Sequence, residues 1–140
     1  MTAPELETLL YDLTQSAGLG ISGSVYKRGL RPLQNENDSH LEDAVVGVIS
    51  GNGDEVQKGT CVINVYIPDV LTSTGEYLED KTRTASIAAA IENLPKQFRR
   101  NKRMVWFTLS EQIAVFGEPN LHEHFVSLKM DYKVLQEQLS

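Results

Sequence analysis

Apolar positions near the start of the chain fall into a helical rhythm. Leu6, Leu9, Leu10, Leu13 and Ala17 recur at intervals of three and four residues, the spacing that gathers side chains on one face of an α-helix. The segment Thr2-Ala3-Pro4-Glu5 supplies a start: a threonine cap, a proline tolerated in the first turn, and a glutamate three residues after the cap. Gly18 supplies a stop. The pattern predicts a helix over 3–16 with one buried face.

The period then changes. Ser22-Gly23-Ser24-Val25-Tyr26 is short and β-like and ends at Lys27-Arg28-Gly29. Residues 29–41, with the polar run from Arg31 to His40, show almost no apolar periodicity and read as a long loop, a kind usually functional or mobile in compact domains. Val45, Val46, Val48 and Ile49 form the next strand. Gly51-Asn52-Gly53-Asp54 gives turn chemistry, and β-branched residues resume from Gln57 to Ile67, so the pair reads as a hairpin closed off by Pro68 and Asp69. Asp80 caps a second helix carrying Ala85, Ile87, Ala88, Ile91 and Leu94, which Pro95 stops. Met104–Leu109 and His124–Val134 are further strands, separated by a stretch that can itself be extended. The order α-β-β-β-α-β-β predicts a single α+β domain over residues 1–140, with two helices packed on a mainly antiparallel β-sheet.

Composition narrows the class. With 140 residues and 15.6 kDa, folding removes roughly 68% of the surface the unfolded chain exposes, enough for one ordinary core. A hydrophobic share of 41% with 23% charged residues argues against disorder and collagen. No apolar run approaches the roughly 18 residues of a membrane helix, and the start lacks the basic-then-apolar order of a secretory signal. The expectation is a soluble intracellular protein with no membrane partner. The single Cys61 rules out an internal disulfide and a cysteine-rich zinc module.

Charge adds an asymmetry. The net −6 resides in residues 1–56, which hold three basic and nine acidic side chains, whereas residues 57–140 hold ten of each. That sign opposes specific nucleic-acid binding, which draws most of its affinity from phosphate contacts. It suits a protein whose opposite ends face different partners.

Several patterns invite a chemical reading. Gly18-Leu19-Gly20-Ile21-Ser22-Gly23 matches G-x-G-x-x-G, but a dinucleotide site needs a strand before and a helix after. Here the order is reversed, and the glycines relieve strain between helix and strand. His122 and His124, with His40 as a third ligand, suggest a metal; yet Val126, Leu128, Met130, Tyr132 and Val134 continue the same parity, so the histidines are better read as the start of an inward strand face or as interface residues. Cys61 shares its parity with Ile63, Val65 and Ile67 and reads as a small core hydrophobe. Glu42-Asp43 and Glu79-Asp80 are adjacent carboxylates most simply serving a strand start and a helix cap. No nucleophile elbow, zinc-protease helix, Walker loop or C-x-x-C is present. The expectation is no catalytic residue, no metal and no cofactor. Lys96-Gln97-Phe98-Arg99-Arg100-Asn101-Lys102-Arg103 holds five basic residues in eight. It reads as hydrated cations complementing a helix C-terminus or as a basic edge for a neighbouring subunit; Phe98 alone is at hand for base stacking.

The element order resembles the small phage tail-completion and tail-terminator proteins, and a local pattern is similar to their prophage relatives. It runs through Gly23-Ser24-Val25-Tyr26, Arg31-Pro32, a polar loop ending in Ser39, Glu42-Asp43-Ala44-Val45-Val46, Gly59, and Val62-Ile63-Asn64-Val65-Tyr66-Ile67-Pro68-Asp69, closing with His124-Phe125-Val126. The likeness covers residues 5–135. It implies a virion structural component that is not an enzyme, assembled in the bacterial host cytoplasm. Such subunits are monomers or rings in isolation and form a six-fold ring at the head-proximal end of the tail tube, meeting tube and head-connector proteins. Ring closure requires two complementary patches per subunit. The acidic first part and the basic cluster are the candidates, with Arg31, Glu42, Asp43, Lys96, Arg99, Arg100, Lys102 and Arg103 as assembly-interface residues; loop 29–41 is a segment that orders on assembly, and acidic residues lining a channel would let DNA pass. Two other classes stand beside this one. A small-molecule-binding or regulatory domain requires an apolar pocket at the sheet–helix seam. A hydrolase requires His122 or His124 beside a carboxylate in a cleft.

Overall fold

The first helix forms where the leucine rhythm places it. In the computed structural model, which describes residues 1–34, 41–50, 57–100 and 102–136, helix α1 spans Ala3–Ser16. The Thr2 hydroxyl accepts the Glu5 N–H at 3.2 Å, and the Glu5 carboxylate accepts the Thr2 N–H at 3.4 Å, a reciprocal capping box. Leu6, Leu9, Leu10 and Leu13 are buried, whereas Ala17 caps the helix end and is exposed. Gly18 follows with φ 64°, the left-handed turn that stops the helix.

Seven strands form one sheet among the described residues. Its path is β1 (Val25–Lys27), β2 (Asp43–Ser50), β3 (Lys58–Pro68), β9 (Glu123–Gln136), β7 (Arg103–Leu109) and β6 (Gln97–Arg100), with β8 (Ala114–Glu118) also paired to β9. All pairings are antiparallel except β1 with β2. That exception explains the long polar segment after β1, because parallel neighbours need a crossover that returns the chain to the starting end. Strand β9 organises the rest: β3 runs along one edge from Lys133 to Glu123, while β7 and β8 share the other edge in succession. The α+β class, the mainly antiparallel sheet and the two packed helices therefore stand as the sequence predicts.

Period-two alternation builds the core. Cys61, Ile63, Val65 and Ile67 of β3 and Val126, Leu128, Met130, Tyr132 and Val134 of β9 all turn to the inner face. There α1 packs on β1 and β2, and α2 (Lys81–Glu92) packs on β3 and β9. Ile87 and Ile91 are fully buried, but Ala85 is exposed and Leu94 is buried from beyond the helix end. Each fully buried leucine or isoleucine contributes about 1.5–3 kcal/mol.

Three features depart from the sequence reading. The first strand begins later, at Val25 rather than Ser22. The second helix is preceded by a small separate hairpin, β4 (Val70–Leu71) with β5 (Tyr77–Leu78), only faintly marked in the pattern because its strands are two residues each. The basic segment after α2 continues beyond the helix end, where Lys96 sits, as the strand β6, folded back on β7 from Gln97↔Trp106 to Arg100↔Arg103. The expected turn at Gly51–Asp54 and residues 35–40 of the polar loop, His40 included, lie outside the described residues.

Candidate functional site

The first candidate site lies on the outer face of the sheet, opposite the helices. Alternation turns Asp43 (β2), Tyr66 (β3) and Glu123 (β9) to that face, and register sets Asp43 opposite Tyr66 and Glu123 opposite Pro68. Arg31, from the crossover, reaches over all three. Its Nε donates to Asp43 Oδ2 at 3.0 Å, and its two terminal nitrogens donate to the Glu123 carboxylate at 3.0 and 3.1 Å. The guanidinium lies 4.2 Å from the Tyr66 ring centroid, within cation–π range. Glu123 is fully buried and Asp43 nearly so. Burial alone would lower the Arg31 pKa, but hydrogen bonds to Glu123 and Asp43 outweigh it and hold the group above its ordinary value. Burial likewise raises the Tyr66 hydroxyl, against the opposing pull of Arg31. A guanidinium engaged on both sides by carboxylates is a fastener for the crossover.

Asp43 is tied a second time. Its Oδ1 accepts the Ser24 N–H at 3.0 Å, and the Gly23 N–H donates to the Glu42 carbonyl at 2.8 Å. A side chain at Gly23 would run into the Asp43 carboxylate and the Glu42 backbone, so only glycine lets these segments approach. Glu42 faces the other way: Arg83 of α2 donates to it at 2.6 and 2.9 Å and to the Gly20 carbonyl at 2.7 Å. The hydrogen bonds to Glu42 raise the Arg83 pKa. Asp80 caps α2 by accepting the Arg83 N–H at 3.1 Å, as a helix-capping carboxylate should. Helix α1 precedes the Gly18–Gly23 segment and β1 follows it, so the fingerprint lacks the architecture of a dinucleotide site.

The second candidate site surrounds the two histidines. His122 is not in strand β9; it sits just before it at φ 52°, so it cannot share strand parity with His124. Its ring stacks on Tyr77 of the small hairpin at 3.7 Å between centroids, and its carbonyl accepts the Asp69 N–H at 2.9 Å. His124 continues the inward parity, with Nδ1 2.6 Å from Asp69 Oδ1 and Nε2 3.7 Å from Glu79 Oε1. The two rings line a hollow of about 630 Å³ with Asp69, Glu76, Tyr77 and Leu78. Among the described residues no group of three or more histidine, cysteine or carboxylate side chains is placed to hold a metal, and His40 lies outside them. Cys61 is buried, and burial, aided by the Asp131 charge, pushes its thiol up to about 12, remote from a nucleophilic thiolate.

The basic residues named from the sequence gather at the far end of β9 from Arg31, since Arg103 pairs with Gln136 while Glu123 begins the strand. Lys96 donates to the Glu92 and Leu94 carbonyls at 2.8 Å, closing the end of α2. Arg100 reaches Asp12 at 2.9 Å, and Arg103 reaches Glu5 at 3.4 Å, both on α1 of the same chain. Lys102 is exposed with φ 62°, and Arg99 is exposed on β6. The structure thus joins Arg31 to Asp43, sets Glu42 on Arg83, and draws part of the basic cluster onto the acidic helix within one molecule.

Glu123 and the β4–β5 hairpin were not singled out from sequence. Glu123 was overshadowed by the histidines on either side, and its partner Arg31 is 92 residues away, beyond any local pattern. The hairpin carries a faint signal in its apolar pairs Val70-Leu71 and Tyr77-Leu78, separated by Thr72-Ser73-Thr74-Gly75-Glu76.

No family model matches the chain, and no curated protein matches it. Among solved structures, a protein whose name carries no functional information aligns over 96% of this chain and 93% of its own, at 17% identity and a TM-score of 0.47. No described helix is long and apolar enough to cross a membrane.

Proposed function

We propose that the chain is an assembly subunit of a phage or prophage tail, acting as a tail terminator: copies close into a ring at the end of the tail tube and present the surface that meets the head connector. The observation that carries this reading is the small hairpin. Val70, Leu71, Tyr77 and Leu78 are between 44% and 57% exposed, so every strand residue of the hairpin offers apolar surface to solvent. Val115 and Phe116 on β8 are also exposed. Exposed apolar side chains gathered on one element in this way mark interaction sites. The resemblance noted in the sequence supplies the kind of assembly. Site of action is then the virion tail, with self, tube and connector proteins as partners and no catalytic role.

Electron microscopy of the purified protein mixed with tail tubes tests the proposal. Expected are tubes carrying a ring-shaped cap at one end and halted in growth; tubes that elongate unchanged and bear no cap overturn it. The hollow lined by Tyr77, His122 and His124 favours a second reading, a small-molecule-binding module, which predicts saturable ligand uptake that the Tyr77→Ala variant loses.

A further inference from the structure

The outer face holds a second concave surface. A groove of about 490 Å³ crosses β2 and β3, with Val45, Gly47, Val62, Asn64 and Tyr66 among its lining and Ile49 beside them. Ile49 is 46% exposed. The side chain of Arg28 lies against Gly47, its methylenes 3.0 Å from where a Cβ would stand, and Arg28 and Arg31 are the charged residues of the lining. The groove is apolar and carries the Arg28 charge, the Arg31 charge being taken up by Asp43 and Glu123.

The β4–β5 hairpin has the opposite inventory. It presents apolar side chains, and the formally charged groups lining its hollow are the carboxylates Asp69 and Glu76. Two-stranded hairpins are marginal alone. This one is moored by the Asp69–His122 backbone bond and the Tyr77–His122 stack, with its strand residues still facing water. Hairpin and groove share no lining residue, so each copy carries both halves of a complementary pair.

We propose that the hairpin of one copy docks into the β2–β3 groove of a second copy of this chain. The contact deepens the ring reading and rests on it for its biological purpose. Leu71 and Leu78 enter against Val45, Ile49 and Val62, and Glu76 approaches Arg28. Because the two patches differ, the contact is heterologous, the type that closes rings or extends filaments.

Complementation tests this directly with the full chain. Sedimentation of the parent protein up to millimolar concentration is expected to show self-association. Leu78→Glu and, separately, Leu71→Glu are expected to weaken it by about 100-fold or more, because a buried leucine is replaced by a charge, and so is Ile49→Glu in the groove. All three positions are exposed in the single copy, so the thermal melt should stay near that of the parent. Mixing Leu78→Glu with Ile49→Glu leaves one intact hairpin and one intact groove, and heterodimers are expected. A parent that stays monomeric, variants that associate as the parent does, or a mixture that stays monomeric while the parent assembles each overturn the docking proposal. If the variants still cap tail tubes, docking fails and the tail reading stands; if complementation succeeds but the parent caps no tube, the tail reading fails and the docking stands.

Discussion

Arg31 and Glu123, 92 residues apart in the chain, meet in two parallel hydrogen bonds of 3.0 and 3.1 Å on a carboxylate that no solvent reaches. The pair holds the crossover against Glu123, the first residue of β9. A buried ion pair offers little net stability over a hydrophobic substitute, but removing Arg31 would strand two buried carboxylates.

Glu123→Gln should destabilise the protein by about 1–3 kcal/mol, because Asp43 keeps the guanidinium paired and the loss is that of buried hydrogen bonds. The amide keeps one acceptor and turns a second donor toward a guanidinium that has only donors. Arg31→Lys should cost nearly as much, since an ammonium cannot reproduce the fork that engages two carboxylates at once. Urea unfolding followed by fluorescence of the single Trp106 measures both; a change below about 1 kcal/mol would contradict the assigned role.

Gly23 makes a separate prediction. Its neighbours, the Asp43 carboxylate and the Glu42 carbonyl, occupy the space of any Cβ, and one of them is backbone that cannot swing aside. Gly23→Ala should cost about 1–3 kcal/mol as an overpacking change and should break the Ser24–Asp43 bond. Gly18→Ala meets open space and suffers only its positive φ, so it should be milder. Equal losses at the two positions would mean that close approach is not what Gly23 provides.

The contrast between these two glycines shows what the sequence made legible. Helix α1, its cap, the buried parity of Cys61 to Ile67, the second helix and the α+β class follow from local period and local chemistry, which physical neighbours in the chain determine. The Gly18 stop is local in the same sense. Gly23, Arg31 and Glu123 depend instead on which strands lie side by side, and no nearby residue reveals that. His122 misled for a related reason: alternation assumes a continuous strand, and a 3-10 turn at Pro119–Leu121 with a left-handed residue after it interrupts the alternation one residue before β9. The basic cluster was visible as composition, but its folding back as β6 onto β7 required the partner strand to be known.

Arg100 and Asp12 give a prediction about charge. The pair is 31% and 44% exposed at its side chains, a setting in which ion pairs contribute about 1 kcal/mol or less and fade with salt. Replacing both Arg99 and Arg100 with glutamate should lower the melting temperature of the monomer only slightly, and less in 0.5 M salt than in ~0.05 M salt. If the same edge also meets a neighbouring subunit, the mass from light scattering should fall far more than the melt shifts. An unchanged mass would confine both arginines to their own molecule.

Alkaline titration reads the burial of Cys61. Its thiol is pushed up to about 12 from an ordinary 9.0 by burial and by the Asp131 charge, so the folded state holds its proton more tightly than the unfolded chain. The stabilisation this provides is fully present below pH 9 and is lost as pH rises through 9 toward 12, with an upper limit of about 4 kcal/mol for a shift of that size. Tyr66 and Tyr132, both raised chiefly by burial, act in the same direction at the upper end of the window. The urea midpoint of the parent should therefore fall steeply between pH 9 and 11. Cys61→Ala should begin lower at pH 8, from its small cavity, yet fall less over that interval. Thiol labelling of the parent should be slow in native buffer and rapid in urea; parallel pH slopes for the two proteins, or fast native labelling, would show that Cys61 is not sealed in the core.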